Sequence, residues 1–128
     1  MFVRAIAIVV LVLGMTPAAV ELGRPFDMKP NEVVTIDGLQ ISFDGISEDS
    51  RCPTGVQCAW AGDAAATFTL EKPPAAAAER TLHTSGRYQR EVSVEQFVVR
   101  LEDVKPYPKE GSTIPADDYR ATVLILRR

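Results

Sequence analysis

Histidine occurs once in this chain, at His83, and none of the common catalytic signatures accompanies it. There is no Gly-x-Ser-x-Gly elbow, no phosphate-binding glycine loop and no metalloprotease helix. The adjacent acids Glu102-Asp103 and Asp117-Asp118 do not fill the gap, because neighbouring side chains in an extended chain point apart and make poor acid and base partners. A lone histidine in a short β-rich run is expected to be structural. The chain therefore reads as non-catalytic, with no cofactor.

Basic charge is also scarce, with 14 Lys and Arg against 17 Asp and Glu. A mildly acidic balance argues against nucleic acid or an anionic membrane as partner. No apolar run is long enough for a membrane span either. The run Ala5–Leu13 falls well short of the roughly 20 residues that a spanning helix needs. It follows Arg4 and precedes Gly14-Met15-Thr16-Pro17-Ala18-Ala19, the layout of a secretory signal peptide over 1–20 with the cut between Ala18 and Glu21. No cysteine lies near the junction, so a lipid anchor is not expected. Losing Arg4 leaves 13 basic residues against 17 acidic ones, a net charge near −4. Residues 21–128 are then expected to form a single β domain, periplasmic or secreted, monomeric and free of the membrane.

Amphipathic helical periodicity is missing, and the period of a half-buried strand takes its place. Leu39, Ile41 and Phe43 alternate with Gln40, Ser42 and Asp44, in a strand expected to end near Ile46. Asp37-Gly38 before it is a strong two-residue hairpin signal. Ala64, Ala66, Phe68 and Leu70 alternate in the same way, as do Phe97, Val99 and Leu101. Arg24–Pro30 reads as a proline-flanked edge strand and Val33–Ile36 as a second strand. Lys72-Pro73-Pro74 and the alanines 75–78 read as a projecting loop, followed by short strands at Thr81–Thr84 and Glu91–Val94. Lys105–Ser112 is a proline-marked excursion, and Tyr119–Leu126, apolar on both faces, is expected to be a central strand. Seven or eight short strands with frequent turns predict an all-β fold, an antiparallel β-sandwich, Ig-like or similar, with a small β-barrel as the alternative.

The chain is organised around Glu48–Asp63, which holds both cysteines, Cys52 and Cys58, and the only tryptophan, Trp60. The residues between the cysteines include the turn formers Pro53 and Gly55, so their α-carbons can approach to the about 5.5 Å that a disulfide needs. An exported chain with a single cysteine pair is expected to join them. The competing reading is a copper or zinc site in which Cys52, Cys58 and His83 are ligands, a spacing and ligand count poorly suited to structural zinc. Trp60 is expected to cap the core beside the bridge, or otherwise to stand out as a contact residue. Glu48, Asp49 and Arg51 are expected to form local pairs and, with Asp44 and Asp63, a solvated acidic rim, since their spacing is not that of a calcium loop.

Asp49-Ser50-Arg51-Cys52-Pro53, Val56-Gln57-Cys58 and Trp60-Ala61-Gly62-Asp63-Ala64 together resemble the central signature of a group of small, uncharacterised bacterial exported proteins. The likeness runs from the Leu39 strand to the Tyr119 strand. It implies an exported all-β domain and brings no activity, ligand or catalytic residue with it.

The function that fits these residues is a non-catalytic binding module for an unknown protein or small ligand. Arg51, Val56, Gln57 and Trp60 on the stapled loop are the expected contacts, and Tyr107 in the proline-marked excursion is another. One alternative presents Thr54-Gly55-Val56 to a protease as an inhibitory loop. The other is periplasmic metal handling.

Overall fold

The computed structural model describes residues 20–128. Residues 1–19, and with them nearly all of the expected leader and its cleavage junction, lie outside the described residues. Eight strands follow in order: β1 (Phe26–Met28), β2 (Val33–Ile36), β3 (Leu39–Asp49), β4 (Ala64–Glu71), β5 (Ala78–His83), β6 (Glu91–Val94), β7 (Phe97–Lys105) and β8 (Arg120–Arg127). A single 3₁₀ turn, Ala116–Asp118, precedes β8, and no α-helix occurs among the described residues. One sheet has the order β1-β8-β7-β6 and the other β2-β3-β4-β5. All pairings between these strands are antiparallel, and the sheets do not close on each other, so the fold is a β-sandwich and the barrel alternative falls.

The alternating apolar residues make the space between the sheets. Leu39, Ile41 and Phe43 of β3 and Ala64, Ala66, Phe68 and Leu70 of β4 face inward from one sheet. Phe97, Val99 and Leu101 of β7 and Ala121, Val123 and Ile125 of β8 meet them from the other. Phe43 and Phe68 touch with ring centroids 5.4 Å apart. Strand β8 is central as expected, between β1 and β7, and its outward residues Leu124 and Leu126 are half-buried. The β2–β3 hairpin turns on Asp37 and Gly38, both in the left-handed region with φ of 48° and 80°.

Two boundaries differ from the sequence expectation by three residues each. Strand β3 runs to Asp49 rather than stopping near Ile46, because register shifts after Phe43 and after Ile46 let the chain bend and still pair, with Asp49 opposite Ala64. Strand β5 begins at Ala78 rather than Thr81, because β4 supplies pairing partners down to Leu70–Ala78. A polar, alanine-bearing segment that would not hold a helix alone is drawn into the sheet as its edge.

Candidate functional site

The loop between β3 and β4 crosses one end of the sandwich and is fixed at several points. Cys52 and Cys58 form a disulfide with α-carbons 5.9 Å apart. At the base of the loop, Ser50 N–H donates to the Asp63 carbonyl at 2.7 Å, and Asp63 N–H donates to Ser50 Oγ at 3.0 Å. Gly62 sits so close to Ser50 that a β-carbon there would overlap the Ser50 carbonyl. Within the ring, Thr54 forms a parallel bridge to Lys109, giving its N–H to Pro108 O at 3.0 Å and taking Glu110 N–H on its own carbonyl at 3.1 Å. The stapled loop is thus bound to the proline-marked excursion that carries Tyr107.

Arg51 is the one charged residue buried among the described residues, which is not the place of an exposed contact. Its guanidinium forms a two-point pair with Asp49, both contacts at 2.8 Å, and donates to the carbonyls of Val104 at 2.6 Å and Pro106 at 3.0 Å. The Tyr107 ring lies over it, 5.3 Å from the ring centroid. Asp49 also accepts the Tyr119 hydroxyl at 2.9 Å. Burial alone would push the Asp49 carboxyl upward, but the hydrogen bonds from Arg51 and Tyr119 and the adjacent positive charge outweigh it and hold Asp49 below the usual carboxylate range. Burial opposes the charge on Arg51 in the same way, and its bond to Asp49 reverses the balance and strengthens its basicity. Tyr119 is pushed upward by burial and by the carboxylate it touches. The expected local Asp49–Arg51 pair is present, and it is extended into a lock that ties the loop to β7 and to Tyr119 just before β8.

Asp63 does not belong to a solvated acidic rim. One carboxylate oxygen lies 2.6 Å from His83 Nδ1, and the other accepts Ser85 N–H at 2.9 Å. The His83 ring stacks against Tyr88, with centroids 4.9 Å apart. His83 therefore serves the β5–β6 corner. Both cysteine sulfurs are spent in the bridge, and no cluster of three or more His, Cys, Asp or Glu side chains suited to a metal occurs among the described residues. Cys52, Cys58 and His83 are not brought together as ligands.

Trp60 is the main correction. It does not cap the core; it is 73 % exposed. Ala64 and Ala66 are the residues that meet the core at the start of β4, and the bonds between Ser50 and Asp63 close the loop just beyond Trp60. Val56 and Gln57 are exposed on the same loop, and Tyr107 is exposed beyond it. Tyr88, which the sequence reading passed over, is exposed as well and lines one small cleft with Trp60, Arg87 and Ser50. A wider cleft of about 360 Å³ adjoins it, sharing Ala61, Gly62 and Ser85 and bordered by Tyr107 and Asp103. Rings thus stand at both ends of a floor made of small residues. A further cleft of about 450 Å³, between Lys72–Ala75 and Glu95-Gln96, offers no ring.

Thr54-Gly55-Val56 is a tight turn, closed by Val56 N–H to Pro53 O at 3.2 Å, with both backbone groups of Thr54 already paired. No helix of the described residues is long and apolar enough to cross a membrane. No protein-family model, no curated protein and no solved structure matches this chain.

Proposed function

We propose that this is an exported, non-catalytic binding module whose contact surface is the ring-flanked end of the sandwich around the Cys52–Cys58 loop. The observation that carries the reading is Trp60, a large apolar ring left 73 % exposed on a loop whose base and stapled ring are fastened. Exposed indoles are costly to solubility and are the residues most enriched as binding anchors. The scaffold supports that use. The disulfide, the Ser50–Asp63 bonds and the Arg51 lock fix the loop beforehand, so that little entropy is lost when a partner docks. Tyr88 and Tyr107 extend the same face, and Val56 and Gln57 are exposed on the same loop. Export is supported by the leader-like composition of residues 1–20 and by a disulfide that persists in oxidising compartments.

A photo-crosslinking side chain placed at position 60 in the expressing cell, compared with one at Val33, tests the site. Val33 is also solvent-facing, on β2, but lies outside both clefts. A discrete adduct from position 60 alone is expected. Adducts from both positions in equal measure, or from neither, would contradict the assignment. Fractionation with intact mass tests export: loss of the leader in periplasm or medium is expected, and full-length protein in the cytoplasm would contradict it.

A further inference from the structure

We infer that the partner at this surface is a protein segment that sets a single carboxylate against Arg87 and apolar side chains against Trp60 and Tyr88, an inference that rests on the binding reading above. The argument turns on which polar groups remain available. A glycan site needs carboxylates and hydroxyls aimed at the ligand, but at the small cleft the Asp63 carboxylate and the Ser50 hydroxyl serve the scaffold. Asp63 is held by His83, Thr84 and Ser85, and Ser50 is held by Asp63. What remains beside the small cleft is two rings and a cation.

Two cations border the clefts, Arg51 and Arg87. Arg51 is consumed by Asp49, whereas Arg87 is exposed and makes no salt bridge among the described residues. Tryptophan, tyrosine and arginine on one patch are the residue types that dominate protein–protein binding energy. Arg87 then selects a carboxylate by a charge-assisted, two-point hydrogen bond. At the Tyr107 end the exposed charge is Asp103, of opposite sign, which disfavours a run of acids and leaves room for one. The floor of Ala61, Gly62 and Ser85 lets an extended chain lie close to the backbone.

The test is selection from a random linear peptide library on the native protein, followed by affinity measurement on Trp60→Ala and Arg87→Glu, with a glycan array probed in parallel. Both side chains are exposed, so unchanged melting curves are the folding control. Selected peptides should carry an Asp or Glu flanked by apolar residues, each substitution should weaken them about thirtyfold, and Arg87→Glu should itself select Lys or Arg instead. If Trp60→Ala weakens binding and Arg87→Glu does not, the carboxylate inference falls and the site stands. If neither does, the binding reading falls with it. No enriched peptide, or Trp60-dependent binding to glycans only, would also overturn the inference.

Discussion

The carbonyl oxygen of Ser50 occupies the space where a β-carbon on Gly62 would sit. The loop between β3 and β4 closes through this contact, so the glycine is required by packing against backbone and not by a left-handed φ. Gly62→Ala must push the two chain segments apart and break the paired bonds between Ser50 and Asp63. A loss of about 3 kcal/mol in unfolding free energy is expected from denaturant titration. An unchanged midpoint would mean that the two segments are not in contact.

The disulfide closes a ring of a few residues outside the main core, so its removal should cost stability without changing the fold. Replacing Cys52 and Cys58 by alanine together is expected to lower the unfolding free energy by about 2 kcal/mol. The far-ultraviolet circular dichroism should stay that of a β protein. A collapse of the sandwich would show that the staple organises the sheets.

Acid should weaken the Arg51 lock. Asp49 titrates below its ordinary value of 3.8 in the folded chain, so the unfolded chain takes up this proton first as the pH falls. Its contribution is complete above that ordinary value and is lost as the pH drops through the lower folded value. Asp49→Asn should therefore be less stable than the native protein at neutral pH, with the difference shrinking as the solution is acidified below about pH 4. Tyr119→Phe removes one of the donors to Asp49 and should move the acid transition toward higher pH, by a step smaller than that of Asp49→Asn. Unfolding free energies measured across the acid range check both.

Asp63 joins the end of the stapled loop to the β5–β6 corner through His83, Thr84 and Ser85. Asp63→Ala leaves those groups without a partner and is expected to cost about 2–3 kcal/mol. Hydrogen exchange should reveal faster opening at Ser85 and around Tyr88, while the core strands β3 and β7 keep their relative protection. Uniform acceleration throughout would place Asp63 in the global core instead.

Much of the sandwich was legible in periodicity. Leu39, Ile41 and Phe43, and again Phe97, Val99 and Leu101, declare an inward face by alternation alone, and Asp37-Gly38 declares the hairpin. The site was less legible because its bonds run between distant residues. Arg51 and Asp49 could be paired from proximity in sequence, but the carbonyls of Val104 and Pro106 that bury Arg51 lie more than fifty residues on. His83 meets Asp63 only once β4 and β5 are in register. Gly62 has an ordinary backbone conformation, so nothing beside it in the chain marks its role. Trp60 misled because average burial of tryptophan says nothing about one loop, and here the core at the start of β4 is met by Ala64 and Ala66. Tyr88 carried a signal that went unused, its place beside the Ser85-Gly86-Arg87 turn.

The most direct test of the central claim is the environment of Trp60 in the native protein, read from its emission and from acrylamide quenching, alongside the melting curve of Trp60→Ala. As the only tryptophan, it reports without interference. Red-shifted emission, quenching close to that of the unfolded chain and a stability within about 0.5 kcal/mol of the native protein are expected of a ring held out for a partner. Blue-shifted, shielded emission with a large loss of stability in Trp60→Ala would place the ring in the core and contradict the account.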